Sequence, residues 1–175
     1  MKPCSAPVPH ILPRRDALAL LGGAAAAAAW PGCAQAAPAE RGQPVAWPEV
    51  ALLDGGRWGA VQAQDKAVIV VFWSTTCPFC LRHNAHIEKL RRAAAGRPLE
   101  ILTVARERDP APVRAYLARH GYGFQVTLDQ GPMGAALSMR RVIPLTAVVE
   151  RSGRLRQVIP GEMFEEDVMQ WLNDI

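Results

Sequence analysis

Cysteine is scarce in this chain, and its scarcity restricts the chemistry that the protein can perform. Four cysteines occur in 175 residues, and two of them, Cys4 and Cys33, lie in the N-terminal segment. The sequence also has no internal repeats and no stripe of basic residues interleaved with aromatic ones. These absences argue against a repeat protein and against a nucleic-acid-binding surface.

The first 36 residues carry the features of an export signal. Arg14 and Arg15 precede an apolar run over residues 17–30 that is too short to span a bilayer comfortably, and residues 34–36 give the small-x-small pattern of a cleavage site. The order around the two arginines is similar to a twin-arginine signal, although Ala17 stands where that pattern prefers Phe. An ordinary Sec signal with two basic residues is the alternative interpretation.

We predict cleavage near Ala36, which gives a soluble periplasmic product. Residues 37–44 are then a linker rich in Pro, Ala and Gly, and residues 45–175 form one domain with a sizeable core. Two alternatives stay open for the N-terminus. One is lipidation at Cys33, and the other is an uncleaved signal that anchors the protein in the membrane.

Cleavage leaves Cys77 and Cys80 as the remaining cysteines. An isolated pair in an oxidising compartment is typical of a single redox couple and not of a disulfide framework. The formal net charge of +4 falls to +2 without the signal, whose three basic residues outnumber its one acidic residue by two. The other charges are interspersed, so no nucleic-acid partner is predicted.

The segment FWSTTCPFC, residues 72–80, is the most informative stretch. A buried-type apolar run ends at Trp73, and an amphipathic stretch over residues 81–95 follows the two cysteines. This order places Cys77 between a strand and a helix, where free N–H groups and the helix dipole stabilise a thiolate. A thiolate is the nucleophile in disulfide exchange, and Cys80, three residues on, can resolve the mixed disulfide.

A structural metal site is the competing interpretation of this motif. Cys77, Cys80, His83 and His86 follow one another at intervals of three residues, and all four are potential zinc ligands. Each interval of three rotates a residue by about 300° around a helix, so the four side chains drift over roughly 180°. They do not converge on one ion without unwinding, and we expect the two histidines to face solvent.

The pattern along the rest of the chain predicts an α/β sandwich with a mixed sheet. Residues 50–61 have a hairpin signal, and helices alternate with strands before a closing hairpin. The predicted strands are residues 68–73, 99–104, 124–128, 142–149 and 155–159; the predicted helices are residues 81–95, 112–120, 134–139 and 164–172.

Four motifs together resemble the TlpA-like thioredoxins, the exported branch of the thioredoxin superfamily that includes the cytochrome c maturation reductases. They are FWSTTCPFC, FQVTLD before the short helix, RRVIP, and ERSGRL in the closing hairpin. The resemblance covers residues 45–175. It implies a thioredoxin-like three-layer sandwich with a mixed central sheet and an N-terminal β-hairpin extension.

The resemblance also assigns roles to individual residues. It makes Cys77 the attacking thiolate and Cys80 the buried resolving thiol, with no cofactor besides this redox-active pair. Pro144 matches the cis-proline of the family, and Ile143 before it would offer its backbone to an extended substrate segment. Trp73, Pro78 and Phe79 would support the active site and contact the substrate.

Two departures from the family pattern bear on the chemistry. Cytoplasmic thioredoxins have a buried acid where this chain has Val71, so the proton of Cys80 must go elsewhere. Glu107 is the candidate acceptor, but counting back from FQVTLD its register is off by one, which favours a solvent-facing side chain. The dipeptide Pro78-Phe79 also lacks the histidine of strong oxidants, and this favours a reductase.

The sequence therefore predicts an exported reductase of protein disulfides, with cytochrome c maturation among its roles. The expected partners are protein disulfide substrates and a membrane thiol electron donor, and the expected state is a monomer. A peroxiredoxin is an alternative, but it needs a proline where Val70 stands, although Ser74 fits its pattern. A copper-handling chaperone on the same fold is the other, with His120 as the nearest distant ligand.

Overall fold

The element that organises the fold is β3, an unbroken run of apolar residues. In a computed structural model, which describes residues 38–137 and 141–174, every residue of β3 (Ala67–Trp73) is buried. The described residues contain six other strands, β1 Val50–Ala51, β2 Arg57–Trp58, β4 Leu99–Ala105, β5 Gln125–Thr127, β6 Leu145–Val149 and β7 Leu155–Pro160, and five helices, α1 Ala60–Ala63, α2 Pro78–Ala93, α3 Pro110–His120, α4 Gln130–Leu137 and α5 Glu165–Asp174.

Five strands form one mixed sheet in the order β5-β4-β3-β6-β7. β3, β4 and β5 are parallel, whereas β6 is antiparallel to both β3 and β7. Trp73 at the end of β3 pairs with Ala105 at the end of β4, and Phe72 pairs with Leu145 at the start of β6. The loops after β3 and β4 and the loop before β6 therefore emerge at the same edge of the sheet.

The two faces of β3 point into two separate cores, because successive side chains of a strand alternate. Val68, Val70 and Phe72 pack in one cluster with residues of β2 and α4. Ile69, Val71 and Trp73 pack in the other with residues of α2, α3 and α5. The result is the predicted three-layer sandwich with a mixed central sheet.

The predicted N-terminal hairpin is present and forms a two-stranded sheet of its own. β1 and β2 pair antiparallel, and Gly55 in the connecting turn adopts a φ of 95°, which glycine tolerates. Leu52 bridges to Thr127, and the Leu53 N–H donates to the Val126 carbonyl. The hairpin is therefore attached to β5.

The segment predicted to be a linker is part of the fold over its described residues. The N–H of Ala39 donates to the Ala136 carbonyl, that of Gly42 to Leu155, and that of Val45 to Gly153. These bonds attach the described residues of the predicted linker and the start of the domain to α4 and the β6–β7 hairpin. A single sequence does not indicate them, because all the partners lie more than ninety residues away.

Most element boundaries shift by a few residues from the prediction. Helix α2 begins at Pro78 because proline fits the first turn of a helix, and β6 begins at Leu145 because Pro144 has no N–H to donate. Helix α1 was not predicted, since four residues carry no helical period.

No helix in the described ranges is long and apolar enough to cross a membrane. The export signal, its cleavage site and Cys33 lie outside the described residues, and their predictions remain predictions.

Candidate active site

The two cysteines lie at the start of α2, just after the loop that follows β3, and they differ in exposure. Cys77 is the N-cap of α2, and its Sγ accepts a hydrogen bond from the Cys80 N–H at 3.2 Å. It is partly exposed, whereas Cys80 is completely buried, and both are free thiols. Cys77 can thus reach another molecule, and Cys80 can reach only what lies inside the fold.

The surroundings of Cys80 keep it protonated. Burial raises the pKa of its thiol to about 12, and its hydrogen bond with Cys77 acts in the same direction. The backbone of Ser74 and the charge of Arg106 lower this pKa, but they offset only part of the effect. Cys80 is therefore a thiol at neutral pH, and it needs a proton acceptor before it can attack.

Glu107 holds the loop that enters the cysteine pair. Its Oε1 accepts hydrogen bonds from the Ser74 hydroxyl at 2.9 Å, the Thr75 N–H at 2.6 Å and the Thr75 hydroxyl at 2.8 Å. Its Oε2 is buried and has no hydrogen-bond partner in the described part of the chain. The expectation that Glu107 faces solvent is wrong. Ala105 pairs with Trp73 in the sheet, so Glu107, two residues after Ala105, lies beside Thr75, two residues after Trp73.

The proline loop lies beside this pair at the same edge of the sheet. The Ile143–Pro144 peptide bond is cis, as predicted, and Pro144 is buried while Ile143 is partly exposed. The Nη1 of Arg106 donates to the Arg141 carbonyl at 2.6 Å, which ties the β4–α3 loop to the segment leading to the proline. The sequence did not indicate Arg106, since a loop arginine carries no pattern.

An exposed aromatic side chain stands next to Cys77. Phe79 is 56% exposed, and the guanidinium of Arg82 lies 5.2 Å from the centre of its ring. Arg82 is fixed in turn by two hydrogen bonds to Glu162, of 2.7 and 2.5 Å. Pro78 is also exposed. Both predicted dipeptide residues are therefore accessible to a substrate.

Trp73 supports the site from below. It is completely buried, and its ring lies 4.8 Å from that of Tyr116 and 6.2 Å from that of Phe124. The predicted supporting role fits this position. The predicted substrate contact does not, because other side chains cover the ring.

The two histidines that follow the cysteines on α2 make hydrogen bonds to other segments. His83 is completely buried, with its Nε2 2.9 Å from the Thr146 hydroxyl and its Nδ1 accepting from the Met163 N–H at 3.3 Å. The expectation that it faces solvent is wrong, since this side of α2 packs on β6. His86 is partly buried, with its Nδ1 3.1 Å from the Met163 carbonyl. Within the described ranges, no three His, Cys, Asp or Glu side chains converge to hold a metal ion.

The sequence resembles one family over most of its length. The sequence model of the Redoxin family matches residues 31–173. The thiol-disulfide oxidoreductase ResA of Halalkalibacterium halodurans is 28% identical over 111 residues, 63% of this chain and 63% of that protein. ResA of Geobacillus thermodenitrificans is 25% identical over 123 residues, 70% of this chain and 71% of that protein. The match thus spans slightly less than two thirds of the first of these relatives.

Solved structures share the architecture. A thiol:disulfide interchange protein of the thioredoxin family from Chlorobium tepidum has a TM-score of 0.71 at 21% identity, covering 77% of this chain and 97% of that chain. StoA from Bacillus subtilis has a TM-score of 0.63 at 18% identity, covering 73% of this chain and 96% of that chain. The likeness confirms the predicted thioredoxin-like fold.

Proposed function

Because the chain belongs to the Redoxin family, we propose that it is a thiol–disulfide oxidoreductase that reduces protein disulfides through Cys77 and Cys80. One observation carries the proposal most directly. A partly exposed sulfur caps the N-terminus of α2, and a fully buried thiol lies three residues behind it. This asymmetry provides one group for attack on a substrate and another for resolution.

The reaction takes place in two exchanges. The Cys77 thiolate attacks one sulfur of a substrate disulfide, and the other substrate sulfur leaves as a thiolate. Cys80 then loses its proton and attacks Cys77 Sγ, which breaks the mixed disulfide and releases the second substrate sulfur. Two electrons pass to the substrate, and a Cys77–Cys80 disulfide remains until a thiol donor reduces it.

Glu107 is the proposed acceptor of the Cys80 proton. Its Oε1 is occupied by three donors from Ser74 and Thr75, while its buried Oε2 has no protein partner in the described ranges. That second oxygen is available to take a proton, either directly or through water. Ile143, Pro144, Pro78 and Phe79 frame the proposed binding surface around Cys77.

The setting of the reaction is part of the proposal. The predicted signal over residues 1–36 supports export to the periplasm, where a membrane thiol donor would restore the dithiol. Apocytochrome c is one client class, since the resemblance includes the cytochrome c maturation reductases. The intact mass of the exported protein tests this part: a start after Ala36 supports it, and a lipid adduct at Cys33 contradicts the soluble form.

Trapping tests the roles of the two cysteines. Cys80→Ser should accumulate mixed disulfides through Cys77, because the resolving thiol is gone, and Cys77→Ser should accumulate none. Nonreducing electrophoresis with a disulfide-containing protein substrate measures both variants. If Cys77→Ser trapped the substrate and Cys80→Ser did not, the assignment would be reversed.

A further inference from the structure

Polar side chains lie in the apolar cluster that buries Cys80. Asn84, one helical turn after Cys80 on α2, is completely buried. Cys80, Trp73 and Tyr116 belong to the same buried cluster on one face of the sheet. Residues four apart on a helix lie on the same face, so Asn84 neighbours Cys80.

Tyr116 joins these groups. The Asn84 Nδ2 donates a hydrogen bond to the Tyr116 hydroxyl oxygen at 3.4 Å, and the Tyr116 ring lies 4.8 Å from that of Trp73. In the described part of the chain, the Asn84 Oδ1 and the Trp73 Nε1 are buried without hydrogen-bond partners. Buried polar atoms are rarely left unpaired, and those that are often mark functional sites.

We propose that Tyr116, held by Asn84, is a positioning residue that stabilises the negative charge forming on the Cys80 sulfur during resolution. This inference rests on the proposed function and deepens it. Asn84 occupies the Tyr116 oxygen, and the hydroxyl hydrogen has no acceptor among the described residues. It is therefore available to a group that develops negative charge in this cluster, to which Cys80 belongs.

The ionisation of Tyr116 supports this role. The pKa of its hydroxyl is raised to about 12, mainly by burial; the hydrogen bond from Asn84 lowers it, and the charges of Tyr122, Cys80 and Cys77 raise it. The phenol therefore keeps its proton at the pH of exchange, and it belongs to the same buried cluster as Cys80. The groups that act on the pKa of Cys80 itself are Cys77 on α2, the backbone of Ser74 and Arg106 from the β4–α3 loop.

Tyr116 transfers no proton in the proposed step. The Cys80 S–H loses its proton to the acceptor, the Cys80–Cys77 bond forms, and the bond between Cys77 and the substrate sulfur breaks. The electron pair of that bond leaves with the substrate thiolate. A hydrogen bond from Tyr116 raises the fraction of Cys80 that is ionised, and so raises the rate of this step alone.

The aromatic disulfide 5,5′-dithiobis(2-nitrobenzoate) separates the two exchanges. With Cys4 and Cys33 replaced by serine, Cys77 of the reduced protein releases the first coloured thiolate and Cys80 releases the second, so stopped-flow absorbance shows two phases. Tyr116→Phe removes one oxygen and keeps the ring. Loss of one charge-assisted hydrogen bond lowers the fraction of Cys80 that is ionised about tenfold. Because the pKa of Cys80 is then higher, the remaining thiolate is about threefold more nucleophilic, which offsets part of that loss. We therefore expect the second phase to slow about threefold near neutral pH, with the first phase unchanged.

Tyr122→Phe is the matched control. It removes the same group from a ring whose centre is 5.9 Å from that of Tyr116, and its hydroxyl donates to the Leu81 carbonyl and not to a cysteine sulfur. Both phases should stay at the wild-type rate. Asn84→Leu should slow the second phase like Tyr116→Phe, and the double variant should be no slower, since the two residues act as a unit.

Two results would overturn the inference: a second phase of wild-type rate in Tyr116→Phe, or an equal slowing of both phases, which indicates a general loss of structure. Thermal unfolding of each variant checks that the fold persists. Failure of the proposed function looks different. In that case the protein without Cys4 and Cys33 releases one equivalent of thiolate, or its Cys80→Ser variant still releases two.

Discussion

At the scale of single residues, the two sulfurs of the pair differ in their exposure and in their surroundings. Cys77 meets the free N–H groups at the start of α2, whereas burial raises the pKa of Cys80 to about 12. The surroundings of each sulfur therefore set the order in which the two exchanges take place. The exposed sulfur attacks first, and the buried one waits for its proton to be removed.

Glu107→Gln should separate the structural and chemical parts of that carboxyl. A glutamine oxygen can still accept from Thr75 and Ser74, so the loop should remain in place, but the amide cannot accept the Cys80 proton. We expect resolution of the mixed disulfide to slow on the order of 100-fold, with the attack by Cys77 nearly unchanged. Rapid quenching of a single turnover with a disulfide peptide measures both steps.

Glu150→Gln is the control for this variant. Glu150 lies in the β6–β7 turn, where it pairs with Ser152 and not with the cysteine loop. Its resolution rate should equal that of the wild-type protein. A Glu107→Gln protein that resolves mixed disulfides at the wild-type rate would remove Glu107 from the chemistry and leave it a loop anchor.

At the scale of elements, contacts near the start and near the end of α2 attach this helix to neighbouring segments. Near its start His83 contacts Thr146 on β6 and Met163 before α5, and near its end Glu88 binds Arg91, Arg92 and the Gly123 N–H. The helix that carries both cysteines is thus fixed against three neighbouring segments. Each attachment has a measurable consequence for stability.

His83 should make the protein less stable in mild acid. Burial, followed by the charge of His86, lowers the pKa of the His83 imidazole from 6.5 to about 4. Between these values the unfolded chain binds a proton that the folded chain does not, so stability falls as the pH falls from 6.5 towards 4. The loss is on the order of 3 kcal/mol in total. Urea unfolding across this pH range measures it.

His83→Gln should flatten that dependence, because glutamine has no proton to gain. Glu88 does not confuse the comparison. Burial opposes its ionisation, but bonds from Arg91, Gly123 and Arg92 lower its pKa from 4.5 to about 2, so its contribution is lost at lower pH. An unchanged slope between pH 6.5 and 5 in His83→Gln would show that another group titrates there.

Glu88→Gln tests the other attachment. Its carboxylate is 5% exposed and accepts from Arg91, Arg92 and the Gly123 N–H, so loss of its charge leaves weaker hydrogen bonds in a buried place. We expect the free energy of unfolding to fall by about 2 kcal/mol. Glu165→Gln on α5 removes an exposed partner of Lys89, the residue after Glu88 on α2, and it should change stability little. Equal losses in the two variants would contradict this account.

The sequence predicts the elements better than the contacts between them. The apolar run of β3 and the placement of Cys77 before α2 are local features, and the sequence predicts both. The contact of Glu107 with Thr75 depends on the register that pairs Trp73 with Ala105, and that register is set by two cores at once. The burial of His83 likewise depends on Thr146, 63 residues away. Such pairings have no trace in a single sequence.

At the scale of the whole molecule, the sheet gathers the chemistry at one edge. The loop after β3 leads to the cysteines at the start of α2, the loop after β4 carries Arg106 and Glu107, and the segment before β6 carries the cis-proline. Hydrogen bonds from Ser74 and Thr75 to Glu107, and from Arg106 to Arg141, join all three. The fold thus holds the site by bonds between loops, while the cores lie beneath it.

The reduction potential of the Cys77–Cys80 pair is the property that this whole arrangement sets. Cys77 caps the start of α2. A helix N-terminus favours a thiolate, and this moves a couple towards oxidising because a stabilised thiolate favours the reduced form. The dipeptide has no histidine to add to the effect, and β3 offers the apolar Val71 and no acid to oppose it.

We expect a potential of roughly −270 to −180 mV, between thioredoxin and disulfide isomerase. Equilibration with glutathione and with dithiothreitol, followed by mass spectrometry of the alkylated thiols, measures it. A value near about −120 mV would mean that the protein donates disulfides, and the proposed direction of the reaction would then be reversed.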